Sequence, residues 1–126
     1  MQRFTDLKVW QRSHALVLQI YRLTAGFPME ERFGLIAQLL RAVLSVPTNI
    51  AEGSKRQSSQ EYARFLNIAE GSLAETEYLL LVSRDLAYAA AKAVQPLLSE
   101  ADEVARMLHG LRTKVLGGSR PSIVND

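Results

Sequence analysis

Three glutamates, Glu52, Glu70 and Glu75, stand among Asn49, Asn67 and Ser72, and these polar groups are the ones best placed to do chemistry. A carboxylate drawn into a helical core can hold a metal, move a proton or be neutralised by a cation. The metal chemistry suited to helical bundles is a di-iron carboxylate site, which needs two Glu-x-x-His pairs on facing helices. Gln11 lies three residues before His14 and Arg106 three before His109, so neither histidine completes such a pair. No Gly-x-Ser-x-Gly, phosphate-binding glycine loop or Gly-x-Gly-x-x-Gly occurs, and zero cysteines remove thiolate ligands and nucleophiles. The expectation is no catalytic residue, no metal and no cofactor. Asn49, Glu52, Asn67, Glu70, Ser72 and Glu75 are then a polar network fixing helix register, with Arg56 or Arg64 pairing a buried glutamate. A carboxylate-bound metal is the weaker alternative. His14 falls between Trp10 and Val17 on an apolar stripe, which suits a hydrogen-bonded core or interface histidine. Glu100, Asp102 and Glu103 read as charges stabilising the positive end of the last helix.

The cations tell a different story from the net charge. The 126 residues carry 15 Lys+Arg against 13 Asp+Glu, a balance of only +2. Residues 1–60 hold eight bases and four acids, net +4, and residues 61–126 hold seven bases and nine acids, net −2. Eleven of the fifteen bases are arginine, the side chain suited to bidentate contact with phosphate or carboxylate. Arg12, Arg41, Lys55, Arg56 and Arg64 are the candidate phosphate contacts, and a solvated basic face is the plain alternative. Assembly of several copies would turn a modest patch into a ring of positive charge.

Four helical stretches must position these groups. Residues 6–25 place Leu7, Trp10, His14, Val17 and Tyr21 on one stripe, with Leu16, Ile20 and Leu23 beside it. Pro28 suits the first turn of the second helix, with Glu30 and Glu31 near its positive end; its inner stripe is Phe33, Ile36, Leu40, Val43, Pro47 and Ile50. Pro47 deletes one backbone hydrogen bond, predicts a kink and frees the Val43 carbonyl. Gly53 closes that helix. Ser58 and Glu61 form a capping box for the third, which runs to about Tyr88 along Tyr62, Phe65, Leu66, Ala69, Leu73, Thr76, Leu80 and Leu86. The fourth starts between Ala90 and Pro96 and carries a heptad seam of Leu97, Ala101, Val104, Leu108, Leu111 and Val115. Gly117 and Gly118 stop it. The hexapeptide Asn49-Ile50-Ala51-Glu52-Gly53-Ser54 recurs as Asn67-Ile68-Ala69-Glu70-Gly71-Ser72. In an antiparallel hairpin Gly71 would lie level with Ala42, where small residues permit close approach.

No segment alternates with period two, so the fold is all-α: an antiparallel up-down-up-down four-helix bundle over residues 1–118, with a flexible tail at 119–126. The longest uncharged run, residues 42–51, is about half a membrane-spanning helix. With no N-terminal signal and no cysteine, the chain suits a cytoplasmic protein with no membrane partner.

The segment Val46-Pro47-Thr48-Asn49-Ile50-Ala51-Glu52-Gly53 resembles a bacterial family encoded in intervening sequences of 23S ribosomal RNA genes, the S23 ribosomal protein-like family. The likeness covers residues 4–116. It includes Phe4-x-x-Leu7-x-Val9-Trp10, Phe27-Pro28-x-Glu30-Glu31-x-Phe33-Gly34-Leu35, Gln38-Leu39-Leu40-Arg41-Ala42 and Tyr62-x-x-Phe65-Leu66-x-Ile68-Ala69-x-Gly71-Ser72-Leu73-x-Glu75. The resemblance implies a non-enzymatic four-helix bundle assembling into a homo-oligomer, with a pentamer favoured. Relatives include accessory proteins of diversity-generating retroelements, which implies RNA or DNA and a reverse transcriptase or other protein as partners. Arg41 and Arg56 match basic positions of the family pattern. The chain departs from it at Ala89-Ala90-Ala91-Lys92-Ala93 and Pro96, where many relatives begin the last helix with acids. The leading expectation is a homo-oligomeric bundle binding RNA or another nucleic acid through its basic surface. The rival is a structural or protein-interaction oligomer without that role.

Overall fold

A computed structural model describes residues 3–117; the tail expected at 119–126 lies outside them. The helices are α1 (Lys8–Thr24), α2 (Leu35–Ser54), α3 (Ser59–Asp85) and α4 (Ala91–Leu116), with 3-10 turns at Phe4–Asp6 and Met29–Glu31. Each helix packs on its neighbour in sequence and α1 closes against α4, while the two diagonal pairs stay apart. Among the described residues there is no strand. The architecture is the antiparallel up-down bundle that the periodicity implies.

Helix α4 follows its heptad: Leu97, Ala101, Val104, Leu108, Leu111 and Val115 are all buried. Helix α3 starts on the Ser58 half of the capping box, Ser58 Oγ accepting the Glu61 amide at 3.0 Å, while the Glu61 carboxylate turns to Arg64. The α2 and α3 pair makes the most extensive contact of the bundle. The two helices come close at Gly53, where an added Cβ would lie 2.7 Å from Phe65 Cβ and 3.1 Å from Tyr62 Cδ1.

On α1 the inner face is rotated from the expected stripe. Val9, Ser13, Leu16, Val17, Ile20 and Thr24 are buried, whereas His14 and Tyr21 are exposed and Trp10 is half-buried. The small hydroxyl residues let the backbones approach, and each satisfies its own oxygen on the helix, Ser13 at Trp10 O (2.9 Å) and Thr24 at Tyr21 O (3.2 Å). His14 is therefore not a core histidine. On α2, Phe33 precedes the helix and is 87% exposed, because the chain turns through Met29–Glu31 before α2 begins. Glu31 reaches forward from that turn, its Oε1 accepting the Leu35 amide at 3.0 Å. Its Oε2 accepts the Tyr88 hydroxyl at 3.0 Å, tying the α1–α2 connection to the α3–α4 joint and pushing the phenol above its ordinary pKa. Helix α2 runs through Pro47 without a break in its assignment.

The α3 stop has a backbone cause. Ala87 adopts φ 63°, the Ala87 amide donates to Arg84 O and the Tyr88 amide to Ser83 O. This is a left-handed helix terminus with alanine where glycine is usual. An L-residue there is disfavoured by about 1–2 kcal/mol. Glycine would lose about 0.4–1 kcal/mol through the unfolded chain. Ala87→Gly is expected to raise stability by roughly 0.5–1 kcal/mol net in urea unfolding.

Candidate nucleic-acid interface and polar network

The five candidate phosphate contacts separate into two groups. Arg41 on α2 and Lys55, the residue that caps its C-terminus, are both exposed, and among the described residues their side chains make no hydrogen bond or ion pair. Fourteen residues separate them, about 21 Å along the axis and within about 40° around it. Arg56 follows in the α2–α3 connection, its guanidinium 4.9 Å from the Phe65 ring centre; Arg64 of α3 lies 4.8 Å from the same ring. Two guanidiniums thus flank one aromatic ring at the hairpin tip, each such contact worth about 0.5–1 kcal/mol at an exposed site. Arg64 also pairs with Glu61 at 3.2 Å, which draws that carboxylate below its usual range.

Arg12 stands apart from this surface. It faces α4, where Nε and Nη2 each lie 2.8 Å from a Glu100 oxygen, a bidentate pair that occupies the guanidinium. Helix α4 begins at Ala91, so Glu100, Asp102 and Glu103 lie beyond its first two turns and do not act on its positive end. Glu100 pairs with Arg12, and Asp102 and Glu103 both pair with Arg106. Glu77 on α3 is half-buried nearby; burial first, then Asp102, pushes its carboxyl above the usual value.

The expected polar network forms only in part. Asn49 Nδ2 donates to Ser45 O (2.8 Å) and to Ser45 Oγ (2.9 Å), and Ser72 Oγ lies 2.8 Å from Ser45 Oγ across the α2–α3 contact. Ser45 is the hub, and no motif in the sequence marks it. Glu70 pairs with Arg112 of α4 at 2.5 Å, not with Arg56 or Arg64, because its position on α3 turns it toward α4. Among the described residues Glu75 meets only Gln38, at 3.5 Å. Glu52 and Asn67 are exposed, so neither is a buried polar group needing a partner. Gly71 does not make the close approach expected opposite Ala42: it faces solvent, and an added Cβ would meet no neighbouring element within 4 Å. The neighbouring Ser72 takes the contact instead. Among the described residues no group of three His, Asp or Glu converges as a metal set.

Beside the basic stripe lies an open groove of about 350 Å³ between the start of α1 and the middle of α2. Phe4, Trp10 and His14 form one wall, and Leu44, Pro47, Thr48, Ala51 and Glu52 the other. Trp10 and His14 stack at 5.0 Å with 9° between their planes, and Phe4 meets Trp10 edge-on at 5.2 Å. The four-residue spacing of Trp10 and His14 was the available signal; reading both as inner-face residues hid it.

Fold and surface together define an all-α up-down bundle with charged side chains on its outer faces. The model of the 23S rRNA-intervening sequence protein family matches residues 5–110, and the chain belongs to that family. The chain is also similar to the crystal structure of a protein of unknown function from the S23 ribosomal protein family of Bacteroides thetaiotaomicron. That similarity has a TM-score of 0.74 at 24% identity, over 82% of this chain and 97% of that one. No curated protein sequence gives a significant match. No helix among the described residues is long and apolar enough to cross a membrane.

Proposed function

We propose that the chain is a non-enzymatic, homo-oligomeric bundle that binds RNA or another nucleic acid through the outer face of α2 and the α2–α3 hairpin tip. One observation carries this reading: Arg41 on α2 and Lys55 at its C-terminal cap stand on one stripe with no carboxylate holding them among the described residues, and the stripe leads to Arg56 and to Arg64, whose exposed pair with Glu61 is easily exchanged for a phosphate. Cations already paired, such as Arg12, would have to break an ion pair before meeting a phosphate. The family name, which refers to 23S rRNA intervening sequences, adds support. Five subunits, as the resemblance implies, would repeat the stripe around an assembly. The test is binding to a structured RNA across a salt series. The logarithm of the association constant should fall steeply and linearly with the logarithm of salt, by about 0.7–0.9 per phosphate neutralised. A flat dependence overturns the reading.

A protein-interaction oligomer without nucleic acid is the second reading, and a different end of the bundle favours it. Met29, Phe33 and Leu86 are 71%, 87% and 52% exposed, and the Glu31–Tyr88 hydrogen bond places their connections at one end. Large apolar side chains exposed at one end of a fold are candidates for contact with another protein surface. Light scattering distinguishes the assemblies: a monomer at micromolar concentration removes both the ring of charge and this second reading.

A further inference from the structure

The groove beside the basic stripe has the character of a site for one planar heterocycle. Its walls are the stacked Trp10–His14 pair, Phe4 and Pro47, and Glu52 is the only formally charged residue lining it. Its volume of about 350 Å³ lies at the small end of ligand pockets. The groove is also bracketed by the unpaired cations. Leu44 follows Arg41 by three residues, and Lys55 follows Glu52 by three, so the α2 wall lies between Arg41 and Lys55. Along α2 the order is therefore cation, aromatic-walled groove with one carboxylate, cation. A single nucleic-acid strand carries the complementary order: phosphate, base with a flat face and N–H donors, phosphate.

Resting on the nucleic-acid reading above, we propose that this groove takes one unpaired base of a single strand, with phosphates further along the same strand, on either side of that base, at Arg41 and Lys55. Single-stranded nucleic acid offers splayed bases that stack on aromatic and imidazole rings, whereas a duplex keeps its bases paired. The Glu52 carboxylate accepts but does not donate, so it favours a base presenting an amino group, as cytosine does at N4. Uracil sets two carbonyl oxygens beside its single ring N–H and is disfavoured there. The stripe alone would hold any phosphate backbone; the groove makes the surface selective for unpaired segments and for the base within them.

Trp10 is the only tryptophan of the chain, so its emission reports on the groove. The experiment titrates the full chain with a short oligouridine carrying one central cytidine, with the all-uridine strand, and with the cytidine strand annealed to its complement. Binding is followed by the anisotropy of a label on the RNA and, in parallel, by Trp10 emission. The cytidine strand is expected to quench Trp10 with the same midpoint as the anisotropy change, and the duplex to bind without quenching. His14→Ala, at an exposed position, should weaken single-strand binding by about tenfold, the scale of one stacked base, and leave duplex binding unchanged. Glu52→Gln, also exposed, should abolish the preference for cytidine over uridine. Circular dichroism confirms that both variants remain helical. Equal binding of strand and duplex with unchanged Trp10 emission overturns the groove assignment and leaves the basic stripe standing. Loss of all binding, wild type included, overturns both. A shift of Trp10 emission with protein concentration alone, before RNA is added, gives the groove to a second copy of the chain and overturns the proposal.

Discussion

Gly53→Ala is expected to lower the stability of the bundle by about 1–3 kcal/mol, the range for overpacking a close contact. The added Cβ would stand 2.7 Å from Phe65 Cβ, an atom one bond from the α3 backbone, so relief requires the two helices to move apart. The helix preference of alanine offsets at most about 1 kcal/mol, and less here, since Gly53 is the penultimate residue of α2. Gly71→Ala should have the opposite sign. Gly71 occupies the same place in the repeated hexapeptide, yet an added methyl group meets nothing there, so the gain is about 1 kcal/mol of helix preference. Urea unfolding at one fixed protein concentration measures both, since assembly would otherwise shift the midpoint. A neutral Gly53→Ala would mean that the α2–α3 contact is looser than the structure describes. The consequence reaches the surface too, because Phe65 is the ring on which Arg56 and Arg64 converge.

The two glycines show how far the sequence could be read. An antiparallel hairpin turning near residue 57 brings this part of α3 against α2, where Ser72 meets Ser45. It does not say which of two adjacent residues faces inward, since one position is about 100° of rotation. The heptad of α4 left no such freedom, because large aliphatic residues alternate there without competitors, and every seam residue is buried. Helix α1 offered a wide apolar arc, the stripe of Leu7, Trp10, His14, Val17 and Tyr21 with Leu16, Ile20 and Leu23 beside it. Packing centres the buried face on Leu16, Val17 and Ile20 and adds Ser13 and Thr24, which no apolar pattern could mark; their hydroxyls bond to their own helix and so leave nothing unsatisfied in the core. The α3 stop was invisible because alanine fills a left-handed position that glycine or asparagine usually announces. The basic site was half legible. Charge excess marked the first sixty residues, but the engagement of Arg12 by Glu100 depends on two side chains 88 positions apart, and only the assembled bundle brings them together.

The double variant Arg41→Glu, Lys55→Glu tests the surface assignment most directly. Both positions are exposed and without side-chain partners among the described residues, so each replacement should change stability by no more than about 0.5 kcal/mol. If each cation neutralises one phosphate of a single strand, the slope of log affinity against log salt should shallow by about 1.4, two phosphates at roughly 0.7 each. Affinity should fall most at low salt, where phosphate contacts contribute most, and the curves of variant and wild type should converge as salt screens the field. Arg12→Ala is the internal comparison. Its guanidinium is held by Glu100, so the variant should lose some stability while keeping the wild-type slope. Arg106→Glu supplies a second comparison, since it changes charge by the same sign on α4, where Asp102 and Glu103 already hold the cation. A drop in affinity that simply scales with the charge changed, Arg106→Glu showing about half the effect of the double variant, would mean that net charge governs binding and that the α2 stripe has no special part. A shallower slope confined to the double variant would place the phosphates on α2.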